Sequence, residues 1–266
     1  MNITWILERD VFNDNHDRLA EAAKAAGHRM VSWDDFWWED GKWPKLKDDY
    51  AIFHGSLGNA DRIASELPWR PGAFCNTPAF ACSAWYDNAG QWLLHSKWVF
   101  SRVSDFVAEP ERYLKELDSP QSFFVRPDSP LKPFSGRVVR LDELSLETLD
   151  YGFYYDDKDL PIVITPATDV GQEWRFVIAG QKVVASSAYE ASDRTETGSD
   201  CPPEALSLAN EAAKALVTPD PVYILDVCET GGNYRLVEIN PFSGADLYAC
   251  DRGAIVAAVD AILAAF

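Results

Sequence analysis

Two apolar runs near the C-terminal end constrain this chain most. Tyr223-Ile224-Leu225-Asp226-Val227-Cys228 and Tyr234-Arg235-Leu236-Val237-Glu238-Ile239-Asn240-Pro241 read as paired, buried strands, yet each carries acid or amide groups among its hydrophobic residues. Residues two apart on a strand share a face, so Glu238 and Asn240 point the same way. Asp226 lies twelve positions before Glu238, across Glu229-Thr230-Gly231-Gly232-Asn233. A three-residue loop at Gly231-Gly232-Asn233 sets Asp226 opposite Glu238, whereas a two-residue turn at Gly231-Gly232 sets it opposite Val237 on the wrong face. The longer loop is therefore expected if the three groups are to meet. Two carboxylates and an amide oxygen on one face make a hard, oxygen-only site, suited to magnesium bound to nucleotide phosphates. The plain alternative is an edge strand with charges on its wet face.

At 266 residues the chain is long enough for a sizeable core and for up to three subdomains. An apolar fraction of 47% with ten tryptophans marks a folded globular protein. A net charge of −18 argues against general binding to nucleic acid or anionic membranes, which call for basic surfaces. Any anionic ligand needs a local positive pocket, so the few cations near a candidate site are informative. Five cysteines (Cys75, Cys82, Cys201, Cys228, Cys250) are odd in number and form no C-x-x-C pair. Neither a disulfide framework nor a zinc site is expected, and a reducing cytoplasm is. Residues 1–8 become charged too early for a signal peptide, and no apolar run nears the ~20 residues that span a bilayer. The oligomeric state is left open.

Residues 1–95 alternate strand patterns (3–8, 29–33, 50–54, 73–76) with helix patterns (16–26, 59–67, 79–94). In such an open α/β unit ligands gather at the carboxyl ends of strands, here Glu8-Arg9, His54-Gly55-Ser56-Leu57-Gly58-Asn59 and Asn76-Thr77. Gly55-Ser56-Leu57-Gly58 reads first as a plain turn and second as a loop whose amides hold a carboxylate or phosphate. The aromatic-rich segment 33–43 reads as core cover ahead of a partner or ligand surface. After residue 96 hairpins dominate. Ser122-Phe123-Phe124-Val125-Arg126-Pro127-Asp128 is a strand ending in a cation, and Lys132-Pro133-Phe134-Ser135-Gly136 is a loop running into another strand. The run 161–167 is apolar and broken by proline, as at a hinge. In 172–178 Glu173 and Arg175 share one face while Trp174, Phe176 and Ile178 take the other. A turn at Ala179-Gly180 leads to a strand at 182–187, and 203–217 and 254–266 read as helices, the last packed on the core. His16, His28, His54 and His95 form no H-x-x-x-H pair and read as surface or capping residues.

Taken in order, a strand ending in a cation, a Ser-Gly loop, a proline-marked hinge, Glu-x-Arg, an Asp-bearing strand and Glu-x-Asn-Pro resemble the ATP-grasp superfamily from about residue 97 to the C-terminus. Arg126 stands where most members have lysine, as in a phage- and bacteria-associated clade that Lys132-Pro133-Phe134-Ser135-Gly136 also resembles. The implied fold is α/β plus α+β. A Rossmann-like pre-ATP-grasp domain at 1–95 is followed by a small lobe at 96–168 and a C-terminal lobe at 169–266 that carries the metal-binding hairpin.

The resemblance implies an enzyme that holds ATP between two lobes, activates a carboxylate as an acyl phosphate and joins it to an amine on an amino acid, peptide or protein. Lys97 and Arg126 would neutralise the α- and β-phosphates, with arginine forking two oxygens. Lys132 and the Ser135-Gly136 amides would close over the β- and γ-phosphates. Backbone groups of Val163, Ile164, Thr165 and the two residues beyond would meet the adenine edge, and Glu173 the ribose hydroxyls or the adenine side. Asp226, Glu238 and Asn240 would hold one or two magnesium ions, and Arg175 would stabilise the transferred phosphoryl group or the tetrahedral adduct. No protein nucleophile is required. Ser187, Tyr189, Arg194 and the 243–246 loop are offered for the acceptor side without a signature. The milder readings make Lys97 or Arg126 a surface ion-pair partner and Lys132 or Arg137 a loop solvator. Two further functions stay open: phosphoryl transfer to a hydroxyl on the same scaffold, and a non-catalytic interaction protein that uses segment 33–43.

Overall fold

The computed structural model describes residues 3–12, 15–44, 46, 50–118, 121–150, 157–190 and 195–265. The chain forms two compact units, one of residues 1–76 together with 172–266 and one of residues 77–171.

The first unit begins with β1 (Ile3–Leu7), α1 (Asn15–Ala25), β2 (Arg29–Ser32), α2 (Phe36–Asp40), β3 (Tyr50–His54), α3 (Leu57–Glu66) and β4 (Pro71–Gly72). The strands form a parallel sheet in the order β2-β1-β3-β4. β1 is buried throughout, with Ile3, Trp5 and Leu7 in one core and Ile6 in another, as a parallel strand covered on both faces requires. The strand expected at 73–76 is instead the two-residue β4. Its donors go elsewhere: the amide of Phe74 donates to Ser243 Oγ and that of Asn76 to Asp220 Oδ2, so no ladder continues there.

The second unit opens with a 3-10 turn (Thr77–Phe80) and α4 (Cys82–Ala89), a shorter helix than the pattern at 79–94 predicts. β5 (Val99–Arg102), α5 (Val103–Ala108), α6 (Pro110–Leu117), β6 (Ser122–Pro127), β7 (Arg137–Arg140), α7 (Leu146–Asp150) and β8 (Pro161–Pro166) follow. The sheet is antiparallel in the order β5-β8-β6-β7. Phe123, Val125, Ile162 and Ile164 pack with Phe106 of α5 and Tyr113 and Leu117 of α6, while Phe124, Arg126, Val163 and Thr165 occupy the opposite face. β8 runs unbroken with its prolines at its two ends, where they cost no interior ladder bond.

The first unit resumes with β9 (Glu173–Ala179), β10 (Lys182–Glu190), β11 (Thr195–Gly198), α8 (Pro203–Ala215), β12 (Val222–Thr230), β13 (Asn233–Pro241) and α9 (Arg252–Leu263). Its antiparallel sheet has the order β11-β10-β9-β12-β13. α8 lies on this sheet and buries Ala205, Ala209, Ala212 and Ala213, small residues that allow close approach. α9, whose Asp251 N-cap accepts from the Ala254 amide, packs on β9, β10 and α1. One apolar cluster joins Trp5, Leu19, Val177, Ile224, Ile255 and Val259, and this shared core is what makes the two ends of the chain a single unit.

The four histidines are buried, not at the surface as their sequence setting suggests. His16 and His54 pair ring to ring at 3.0 Å, and His28 bonds Asp260 across from α9, so each ring nests against a partner remote in sequence. Burial lowers the pKa of both His16 and His54. Among the described residues no helix is long and apolar enough to cross a membrane.

Candidate nucleotide and metal site

Pairing across β10, β9, β12 and β13 aligns Ser187, Arg175, Asp226 and Glu238 in one row, with Tyr189, Glu173 and Cys228 in the next. The expected pairing of Asp226 with Glu238 is present, but it is reached by a different route. The turn is the two-residue Gly231-Gly232, with φ of 55° and 76°, and Thr230 pairs with Asn233. Two glycines take such positive φ values without steric cost. A regular ladder from that turn would put Asp226 opposite Val237. Instead Val227 pairs with Leu236 and Asp226 with Glu238, so Val237 is an extra residue, a β-bulge that resets the phase. Asp226, Glu238 and Asn240 then converge, with Asn240 Nδ2 3.3 Å from Asp226 Oδ2 and 2.9 Å from Glu238 Oε1.

Arg175 closes this group from β9. Its Nε donates to Asp226 Oδ1 at 2.9 Å and its Nη2 to Oδ2 at 2.7 Å, a forked pair in which Asp226 is 0% and Arg175 8% exposed. Nη1 donates to the Asp246 carbonyl at 2.7 Å. The guanidinium also lies against Tyr189 and Tyr248, whose rings stack with centroids 4.7 Å apart. Burial opposes the Arg175 charge, but the Asp226 carboxylate outweighs it and holds the group well above the usual range. Glu173 accepts from the Tyr189 hydroxyl at 2.6 Å. Burial above all, then the charges of Asp226 and Glu238, push Glu173 up to about 7 against the opposing pull of Tyr189 and Arg175.

The donor set fits magnesium. It offers only hard oxygens, and magnesium keeps much of its shell for water and phosphate oxygens. The Arg175 fork takes one lone pair from each Asp226 oxygen and leaves acceptor capacity on both. Asn240 presents Oδ1 in place of Nδ2 once its amide turns over. Among the described residues no three His, Cys, Asp or Glu side chains are grouped to hold a metal, so this set depends on ligand oxygens to complete a shell.

In the 77–171 unit Arg126 sits in β6, flanked by β7 and β8, and is 8% exposed. Gly136 rests on the same face: a methyl group there would lie 2.6 Å from Phe124 Cζ and 3.3 Å from Arg126 Cβ. Loop and strand touch because position 136 has no side chain. Phe134 anchors the loop in the core, while Lys132 and Ser135 are exposed. His95 stacks on Phe124, and burial followed by the Arg126 charge lowers it to about 4. Lys97 forms an ion pair with Asp118, both well exposed, as the milder reading has it. Such a pair is worth under about 1 kcal/mol and holds the lysine loosely. Val163 and Ile164 are fully buried in β8 with β5 and β6 on either side, so their backbone groups belong to the ladders. The β5 ladder ends at Ile164, which narrows the adenine contact expected of 163–165 to Thr165 and the residues after it.

Residues 69–259 match the model of an ATP-grasp domain, the third family of its clade. The chain belongs to the ATP-grasp family. Its fold is similar to that of the D-cycloserine synthetase DcsG, with a TM-score of 0.67 and 16% identity over 98% of this chain and 99% of that one. The ATP-grasp ligase PsnB, solved with a phosphomimetic variant of its minimal precursor, Mg and ADP, gives 0.62 and 13% over 98% of each chain. D-alanine–D-alanine ligase from Bacillus anthracis, solved with ATP, gives 0.58 and 14% over 100% and 98%. At these identities the likeness is one of fold. No curated protein matches the sequence.

Several residues around this ATP-grasp site carry no sequence signal. Arg252 is 5% exposed and donates to the carbonyls of Leu247, Tyr248 and Cys250, which pins the loop whose Asp246 carbonyl receives Arg175. Tyr248, the second ring beside Arg175, is set in the same loop. Ser187 is fully buried, and its Oγ accepts from the Ala249 amide at 3.0 Å and donates to the Ala188 carbonyl, a structural tie. Arg194 lies outside the described residues. At the end of β1, Glu8 Oε2 accepts from the Ser56 amide at 2.7 Å, so the 55–58 loop does hold a carboxylate, and it is the chain's own.

Proposed function

We propose that this ATP-grasp protein is an ATP- and magnesium-dependent carboxylate–amine ligase acting on an amino acid, peptide or protein. The observation that carries the reading is the convergence of Asp226, Glu238 and Asn240 on one face with Arg175 locked beside them. In this reading those three residues hold one or two magnesium ions, whose charge offsets that of the phosphates. Arg126, with its fork in place of a lysine point charge, Lys97, Lys132 and the Ser135-Gly136 amides contact phosphate oxygens. Thr165 and the following backbone meet the adenine, and Glu173 meets the ribose or the adenine side. Arg175 is positioned to stabilise charge on the transferred phosphoryl group or on the tetrahedral adduct.

The chemistry balances without a protein nucleophile. A substrate carboxylate oxygen attacks the γ-phosphorus, the bond to the ADP oxygen breaks, and an acyl phosphate forms. An amine then attacks the acyl carbon, phosphate leaves with the bonding electrons, and the amine proton passes to solvent. The amino-acid or peptide class is supported by what the fold neighbours are described as, namely a D-alanine–D-alanine ligase and a ligase solved with its precursor. The acidic surface disfavours nucleic acid as substrate, and the cysteine pattern favours the cytoplasm. The test is a screen of amino acids and peptides with ATP and magnesium, read by mass spectrometry. Amine-dependent phosphate release with a product lighter by one water supports the ligase. A stable phosphorylated hydroxyl product would replace it with a phosphotransferase.

A further inference from the structure

Five of the ten tryptophans, Trp33, Trp37, Trp38, Trp43 and Trp69, form one aromatic patch. Their centroids are 4.8 to 6.4 Å apart, mostly edge to face. The inner edges pack on a core that includes Ile6, Phe53 and Ile63, which accounts for one side of the cluster. The outer side is left in water. None of the five indoles is buried, α2 contributes no buried residue, and Phe36 is 67% exposed. Contiguous exposed aromatic surface on a soluble fold marks a contact site.

Charge at the rim decides the kind of partner. Between residues 34 and 44, Asp34, Asp35, Glu39 and Asp40 stand against one lysine, Lys42. Indole faces and carboxylates both attract cations. The patch already holds one guanidinium: the Arg62 Cζ lies 3.6 Å from the Trp38 ring centroid, while Nε and Nη2 donate to Glu66 at 3.0 and 3.2 Å. The same rim repels a second copy of a chain whose net charge is −18.

We propose that this patch docks an arginine-rich segment of a partner protein, with guanidinium groups stacked on the indoles and held at their edges by the rim carboxylates. The proposal is independent of the catalytic reading. A chain this acidic attracts any cationic peptide, so the decisive variant is one that leaves its charge unchanged. The probe is a nine-residue Arg-Gly peptide, with its citrulline counterpart as control, titrated calorimetrically at 0.15 M salt into the wild type, Phe36→Ala/Trp37→Ala and Glu39→Gln/Asp40→Asn. The wild type should bind the arginine peptide and not the citrulline one. Each double variant should bind roughly 5- to 20-fold more weakly, as two cation–π or rim contacts are lost, with its melting temperature checked alongside. Should Trp37→Ala impair folding, exposed Phe36→Ala alone should still weaken binding about 2- to 5-fold. Equal affinity in the wild type and the folded aromatic variants, or no binding of the arginine peptide at all, would overturn the proposal.

Discussion

Replacing Asp226 by asparagine keeps the side chain's shape and removes its charge, stranding Arg175 in the interior of the site. A guanidinium has only donors, so the new amide can accept with its oxygen but must turn N–H groups towards one arm of the fork. Breaking a buried ion pair from one side costs about 3–5 kcal/mol. One retained hydrogen bond places this change near the lower limit, about 3 kcal/mol. For a unit of this size each kcal/mol moves the melting midpoint by about 2–4 °C, so Asp226→Asn should melt roughly 6–12 °C below the wild type. The assay is thermal unfolding followed by circular dichroism, repeated for Arg175→Met and for the double variant. Removing both charges should recover at least about 2 kcal/mol relative to Asp226→Asn, because the stranded cation is then gone. A single variant that loses under about 1 kcal/mol, or a double variant no better than the single, would refute the view of this pair as a coupled unit.

Glu173 has a folded pKa of about 7 against an ordinary 4.5, so between those values the folded state binds the extra proton. Its contribution to stability is present below about pH 4.5 and is lost as pH rises through 7. In metal-free buffer Glu173→Gln should show a smaller fall in melting temperature from pH 5 to pH 8 than the wild type, and equal slopes would count against the assignment. Gly136→Ala forces a methyl group onto Phe124 and Arg126 and should cost about 1–3 kcal/mol, with weaker nucleotide binding. A melting curve like that of the wild type would mean the loop has room to shift. Arg126→Lys keeps the charge and loses the fork, so KM for ATP should rise about tenfold with little change in melting temperature. An unchanged KM would show that a point charge suffices.

The metal set could be read from the sequence because Asp226, Glu238 and Asn240 interrupt otherwise apolar strands, and alternation fixes which residues share a face. The bulge could not, since the extra residue, Val237, is as apolar as its neighbours and nothing local marks it. Most strands fell where the pattern put them, but 73–76 satisfies its amides on Ser243 and Asp220, partners more than a hundred residues away. The same limit hid the pinning arginine Arg252, the buried histidines and the joining of 1–76 with 172–266. Each depends on contacts between distant segments, to which periodicity is blind. At Gly55-Ser56-Leu57-Gly58 the chemistry was legible and the ligand was not, because Glu8 lies a whole βαβ unit earlier.

The central claim, a magnesium–nucleotide site built on the β12–β13 hairpin, is tested most directly by calorimetric titration of a non-hydrolysable ATP analogue. The titration is run with and without magnesium, on the wild type and on Glu238→Gln. The account predicts binding that depends on magnesium in the wild type and is lost or weakened at least about tenfold in the variant, as removal of a charged ligand contact implies. Magnesium-dependent binding of equal strength in both proteins, or no binding to the wild type under either condition, would contradict it.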